Sequence, residues 1–398
     1  MNEKKRLKRV SRRGFIFGSA AFSVAARGGF GLAKGSGSGR RLLLVGTQTS
    51  GTSKGIYSYL FDPATGELGN AALAAAAANP TFLALAPNGR TVLVANELDT
   101  FGAKSSGAVS SYTLDRANSR LIKVNEVASL GGGPCHVAFD HTGRSAFAAN
   151  YGGGSAASFS VGEDGRLSAA VSFFQYTGQG PDQQRQKGPH AHRVTVSPDN
   201  RFLLVNDLGL DAIHVYRLDA GTAKLTLNDP PAWRSSPGAG PRALQFHPNG
   251  RFAYVVNELN STVSVLSFDS KRGVLHPLQT LSTLPEGFIG KNDSAELEVH
   301  PNGKFVYASN RGHDSIAVFA VDAQHGTLAL VENVPTQGKT PRSFEIDPTG
   351  TRLFVANQDS DDIVVFRLNS RTGHLNASGD VLKVPSPVCI RFVMAESL

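Results

Sequence analysis

His247-Pro-Asn-Gly-Arg-Phe-Ala-Tyr-Val-Val-Asn257 returns, with few changes, as His300-Pro-Asn-Gly-Lys-Phe-Val-Tyr-Ala-Ser-Asn310. The phrase is a tight turn, a short apolar run and a closing Asn. Further copies run from Ala86 to Asn96, Asp140 to Asn150, Ser197 to Asn206 and Asp347 to Asn357. A period of about fifty residues built from strand-type units is the signature of radial repetition, one four-stranded blade per repeat. Runs such as Arg251–Val256 and Ser261–Phe268 are β-branched or aromatic and bounded by turn residues, and nothing after residue 41 sustains a helical apolar period. The expected class is all-β, a β-propeller of four-stranded antiparallel blades.

A second phrase, Asp or a similar residue followed by polar residues and Leu, counts the blades. It spans Asp62 to Leu68, Asp115 to Leu121, Gly162 to Leu167, Asp219 to Leu225, Asp269 to Leu275, Asp322 to Leu328 and Asn369 to Leu375. Seven copies of this phrase against six of the first locate the missing turn where the chain begins and ends. Pro387-Val-Cys-Ile-Arg-Phe392 looks like Pro241–Phe246 and Pro341–Ile346, and Leu42–Val45 looks like the strand that should follow it. A seven-bladed ring closed by the C-terminal strand joining the first blade is therefore predicted, which pairs edges that an open array leaves bare.

The 398 residues, 40% of them hydrophobic, supply one large core and leave no room for a second folded domain. The formal charge of +8 is misleading. Residues 1–41 hold eleven Lys/Arg and one acid, leaving 29 basic against 31 acidic residues, so the basic balance gives no support to a nucleic-acid partner. Ser11-Arg-Arg-Gly-Phe-Ile16, followed by a modestly apolar stretch and then Gly/Ser-rich sequence, reads as a twin-arginine export signal over residues 1–40, ahead of a domain over 41–398. The apolar stretch is too short to span a membrane, so no stable membrane insertion is expected after export, and the location is periplasmic, with cytoplasmic as the fallback. Cys135 and Cys389 fall on the innermost strands of non-neighbouring blades, so they are expected unbridged, as packing residues and not nucleophiles.

The start of an innermost strand and the end of the next lie together, because the turn between them reverses the chain. That sets Pro241-Arg242 beside Asn257-Glu258, Pro341-Arg342 beside Asn357-Gln358, Glu296 beside Asn310-Arg311, and Pro189-His190-Ala191-His192 beside Asn206-Asp207. One mouth of the channel thus collects His190, His192, Asp207, Arg242, Glu258, Glu296, Arg311 and Arg342. Arginine offers a planar fork for an anionic group or a polarised carbonyl, while Glu258 and His192 are candidates to move protons. The same residues also suit a structural plug, with Arg and Glu bracing the ring. The repeated asparagines, and His247 and His300 in the turns, read as structural. Gly51-Thr-Ser-Lys-Gly55 matches a nucleophile elbow but precedes an alternating strand, not a helix. There is no His-Glu-x-x-His, and neither a transition metal nor a cofactor is expected.

Gly238–Gly250, Tyr254 with Asn257–Ser261, Ser309–Phe319, Arg185-Gln186 leading into Pro189–His192, and Thr340–Phe344 with Ala356–Gln358 closely resemble the seven-bladed lactonase family, whose members include propeller-type 6-phosphogluconolactonases and relatives of carboxy-cis,cis-muconate cyclase. The resemblance spans residue 41 to the C-terminus. It implies that His192, Arg242, Glu258 and Arg311 match positions proposed for catalysis or substrate binding, with Arg342 close by. His192, Arg242 and Glu258 are then the expected catalytic set, and His190, Arg311, Arg342 and Gln358 the expected substrate-binding set. The expected partner is a small-molecule lactone. A non-catalytic ligand-binding propeller and a muconate-type cycloisomerase stand as alternatives.

Overall fold

The computed structural model describes residues 39–393; the export signal read over residues 1–40 falls almost wholly outside them. The described chain forms seven four-stranded antiparallel sheets and one extra hairpin, Thr100–Phe101 with Lys104–Ser105, inserted in the second blade. Blade 5 shows the pattern: Pro241–Phe246, Phe252–Asn257, Thr262–Asp269 and Val274–Ser282 follow one another from the axis to the rim. The other inner strands are Pro80–Leu85 in blade 2, Pro134–Phe139 in blade 3, Ala191–Val196 in blade 4, Asp293–Val299 in blade 6 and Pro341–Ile346 in blade 7. Blade 1 is assembled from both ends of the domain. Arg41–Thr47, Gly55–Phe61 and Ala72–Ala76 supply three strands, and Pro387–Val393 the innermost. Each inner strand packs on the next, and Pro387–Val393 packs on both Pro80–Leu85 and Pro341–Ile346, so the ring is closed as predicted.

Burial follows position in the blade. The second strands Thr91–Asn96, Ser145–Asn150, Phe202–Asp207 and Phe252–Asn257 are buried throughout, being sandwiched between neighbouring blades on both faces. The outer strand Leu167–Gln175 instead alternates buried or half-buried residues with exposed ones. The turn phrase fastens blade to blade. His247 Nε2 donates to the Gly303 carbonyl at 2.8 Å while its Nδ1 accepts from the Asn249 N–H at 3.1 Å, and His300 repeats both bonds with Gly350 (3.0 Å) and Asn302 (3.0 Å). Gly303 sits at φ +72°, and a Cβ there would lie 2.7 Å from His247 Nε2, so this turn needs glycine twice over. The closing asparagines tie strand ends to loops as expected: Asn96 Nδ2 donates to Ala78 O at 2.8 Å, Asn150 to Ser129 O at 3.1 Å and Asn310 to Thr283 O at 2.9 Å. Cys135 and Cys389 are both free and buried.

One feature of the inner strands shapes the channel. Every inner strand carries a β-bulge near its start, which leaves Val388, Thr81, Cys135, His192, Arg242 and Arg342 without a cross-strand partner, and blade 6 bulges between Ser294 and Leu297. A bulge re-aims side chains and often stands beside a functional site. Here it turns consecutive pairs into the channel: Thr81 with Phe82, Cys135 with His136, His192 with Arg193, Arg242 with Ala243, and Ala295 with Glu296 all face a narrow hollow of about 20 Å³ on the axis.

Candidate functional site

Above that hollow lies a cavity of about 180 Å³ lined by Glu97, Cys135, Tyr151, Arg185, His192, Arg242, Glu258, Arg311 and Arg342. Bulges in blades 3, 4, 5 and 7 deliver Cys135, His192, Arg242 and Arg342. The ends of second strands deliver the residue that follows four of the six closing asparagines: Glu97, Tyr151, Glu258 and Arg311. Arg185 comes from neither. It stands on the loop between blades 3 and 4, whose backbone is pinned by Gln186, a fully buried side chain donating to Leu208 O at 2.8 Å and to Asp211 Oδ1 at 2.9 Å.

Glu258 is the electrostatic centre. Its side chain is 2% exposed and pairs with three guanidinium groups: Arg242 at 2.5 Å, Arg311 at 3.0 Å, and Arg185. Burial by itself raises a carboxyl pKa, but Arg311, Arg242, His192 and Arg185 outweigh it and hold Glu258 well below the usual carboxylate range. Arg242 is fixed further by Nε to Ala295 O at 2.9 Å, and Arg311 by Nε to Asp293 O at 3.1 Å. Burial lowers the Arg311 guanidinium to about 10. Arg342 lines the same cavity and has no ion-pair partner among the described residues. His192 is 9% exposed, lies edge-on to Tyr151 at 5.6 Å, and no protein group among the described residues hydrogen-bonds its ring. Burial first, and then the charges of Arg242, Arg342 and Arg311 against the opposing pull of Glu258, push its imidazole well below the ordinary value.

The structure thus gathers His192, Arg242, Glu258, Arg311 and Arg342 around one cavity and sets four other candidates apart from it. His190 lies behind the wall, stacked on Tyr151 at 4.5 Å with its Nδ1 against Tyr151 O at 2.9 Å. Gln358 begins a short 3₁₀ turn and donates to Gln48 Oε1 at 3.2 Å, across the seam to blade 1. Asp207 is fully buried and spends Oδ1 on the N–H groups of His190 and Leu210. Glu296, expected beside Arg311, lies deeper, because the bulge turns it down the channel to pair with Arg193. Sequence reasoning missed Glu97, Tyr151 and Arg185. The first two could have been found by taking the residue after every closing Asn; Arg185, on an irregular loop, obeys no repeat. Cys135 is in the wall, but burial pushes its thiol up to about 12, so it is no nucleophile.

A larger hollow, about 560 Å³, opens at the other end of the channel between apolar residues such as Phe82, Leu85, Phe139, Val196 and Phe246. It has the volume, but the two guanidinium groups in its wall, Arg193 and Arg391, are already paired with Glu296 and Glu345. The smaller cavity holds the unpaired Arg342 and the neutral imidazole, and no group of His, Cys, Asp and Glu able to hold a metal ion occurs among the described residues.

Comparison with known proteins agrees with this architecture. A family model described as "Lactonase, 7-bladed beta-propeller" matches residues 42–392. A 6-phosphogluconolactonase of Bacillus subtilis (strain 168) is 37% identical over 349 residues, covering 88% of this chain and 97% of the relative. A 6-phosphogluconolactonase of Formosa agariphila is 34% identical over 300 residues, covering 73% of this chain and 81% of that protein. The solved structure of the periplasmic gluconolactonase PpgL of Pseudomonas aeruginosa superposes with a TM-score of 0.83 at 36% identity, covering 89% of this chain and 99% of its own. With the ring, its closure and nearly the whole domain accounted for by these matches, the chain belongs to the seven-bladed β-propeller lactonase family.

Proposed function

We propose that this lactonase opens the ring of a sugar-acid lactone by attack of water on the carbonyl carbon within the cavity above the bulges. His192 lines the cavity with no described protein group hydrogen-bonded to its ring, and it accepts the proton of the attacking water. Arg342 and the free edge of Arg242 donate to the carbonyl oxygen as it gains negative charge in the tetrahedral intermediate. When the ring C–O bond breaks, the imidazolium returns its proton to the departing alkoxide oxygen, leaving a hydroxy acid that ionises to its carboxylate and one released proton. Glu258, held as a carboxylate by three arginines, is a poor proton acceptor; its part is to fix Arg185, Arg242 and Arg311 so that they need not reorganise during the reaction.

The observation that carries this reading is the pairing of an unengaged guanidinium, Arg342, with a neutral imidazole, His192, in one small cavity. A purely structural plug would be expected to match its charges; this cavity keeps cationic donors in surplus. The test follows proton release as the purified protein acts on glucono-δ-lactone, above the spontaneous rate. Arg342→Ala and His192→Asn should each lower kcat by about 10²-fold or more, and rates equal to the unmodified protein would sink the assignment.

Residues 1–40 fit the same reading as a twin-arginine export signal that delivers the folded enzyme to the periplasm, where the Pseudomonas relative is named as acting. Among the described residues no helix is long and apolar enough to cross a membrane. Fusing residues 1–40 to a reporter and replacing Arg12 and Arg13 by Lys should abolish its export; undiminished export would remove the claim.

A further inference from the structure

The arginines of the cavity invite an anionic substrate, yet two carboxylates on its wall and rim have accepting oxygens to spare. Glu97 lines the cavity, and its Oε2 is buried with no hydrogen-bond partner. Asp293, at the rim, is 45% exposed and touches Arg185 Nη1 through Oδ1 alone, at 3.2 Å. An orphaned buried carboxylate oxygen is costly unless a donor meets it in use, and an arginine beside an aspartate offers one donor and one acceptor side by side. Vicinal hydroxyls present the complementary pair. A phosphate presents only acceptors and two negative charges.

The depth of each group sets the orientation. His192 and Arg242 are nearly buried at the bulges, whereas Arg185 is 36% exposed, so the lactone carbonyl goes inward and the far end of the sugar chain meets Arg185 and Asp293. We propose that Glu97 and the Arg185–Asp293 pair make this site selective for an unphosphorylated polyhydroxy lactone: Glu97 accepts from a hydroxyl inside the cavity, Arg185 and Asp293 together hold hydroxyls at the rim, and Asp293 repels a terminal phosphate. This deepens the hydrolase reading above and rests on it. The loop that carries Arg185 is anchored by buried Gln186, so the rim is preformed and the discrimination does not wait on closure of a lid.

The test compares kcat/KM for glucono-δ-lactone, its 6-phosphate and δ-valerolactone, which has no hydroxyls. The unmodified protein should favour the unphosphorylated sugar lactone over the phosphorylated one. Asp293→Asn, near in shape and half exposed, should shift that ratio toward the phosphate by roughly tenfold, mainly through KM. Glu97→Gln should lower the ratio of gluconolactone to δ-valerolactone turnover by about tenfold or more, because the lost acceptor serves only a hydroxylated substrate. A native preference for the phosphorylated lactone, or variants that move all three substrates together, would overturn the proposal. If no lactone is opened, the hydrolase reading fails by itself, and calorimetric titration with gluconate and 6-phosphogluconate still decides the selectivity: tighter gluconate binding supports it, tighter 6-phosphogluconate binding overturns it.

Discussion

The two ends of the channel hold the same kinds of group in opposite proportion. At the upper cavity one carboxylate, Glu258, is shared by Arg185, Arg242 and Arg311 and is held well below the usual carboxylate range. At the lower end one guanidinium, Arg391, pairs with Glu345 while Glu298 lies alongside; burial pushes both carboxyls up, each against the pull of Arg391. The lower cluster sits on the bulged inner strands of blades 6, 7 and 1, whereas in the upper one only Arg242 does: Glu258 follows a second strand, Arg311 ends one, and Arg185 stands on a loop. The stoichiometry differs, and with it the chemistry: the upper end retains unspent cationic donors facing a cavity, while at the lower end burial disfavours the charge of carboxyls that brace blades 6, 7 and 1. Arginine and glutamate on a propeller axis are thus either machinery or mortar according to the local count, and residue type alone does not say which.

The sharpest way to break this contrast is to remove the shared carboxylate. Glu258→Ala strands three guanidinium groups that were neutralised together, and a loss of about 3–5 kcal/mol of unfolding free energy is expected for breaking such a buried cluster, together with loss of lactone opening. Denaturant unfolding followed by tryptophan fluorescence and circular dichroism measures the first. Glu345→Ala should cost clearly less, since Glu298 remains to face Arg391. A Glu258→Ala protein as stable as the unmodified one would mean that the upper arginines are not organised by Glu258.

A pH profile of kcat/KM sharpens the same contrast at lower cost to the fold. Since burial and the neighbouring arginines push His192 well below the ordinary imidazole value, the acid limb should fall at a pH well below that value, with activity full at neutrality. The base is active when unprotonated, so lowering the pH through its folded pKa removes it. An acid limb at the ordinary histidine position would show that His192 is solvated, not enclosed by the arginines.

The ring itself was legible because its causes are local and repeated. The Pro/Asn/Gly turns, the closing asparagines and the misfit between seven copies of one phrase and six of the other fix both blade number and closure. Arg242, Glu258 and Arg342 were legible because hairpin reversal brings strand start and strand end together. The bulges were not legible: an unpaired residue leaves no mark in a short apolar strand, and the bulge is what sends Glu296 down to Arg193. Gln358 shows the other limit. It holds the same repeat position as Glu258, but a 3₁₀ turn from Gln358 to Ser360 follows it, and its amide is spent on Gln48 in blade 1. Position in a repeat predicts where a backbone goes; the last bend of the side chain depends on neighbours brought in from distant sequence.

The smallest expected effect tests the lower cluster. Glu298 accepts from the Ile346 N–H at 2.9 Å, and its carboxyl is pushed well above the usual range by burial and then by the charge of Glu345. The unfolded chain gives up this proton near the ordinary glutamate value while the folded chain retains it, so the folded state binds more protons above that value. Stability contributed by this site therefore declines as pH rises from the ordinary glutamate value toward the folded one. Glutamine at 298 keeps an oxygen for Ile346 N–H and offers an N–H to Glu345 in place of the retained proton, and it does not titrate. Glu298→Gln should then match the unmodified protein in thermal unfolding at acidic pH and exceed it by a few degrees at mildly alkaline pH, with lactone opening unaffected. A variant that gains at low pH and loses at high pH would reverse the sign of the site, placing an ionised carboxylate beside Arg391 and making the two ends of the channel alike.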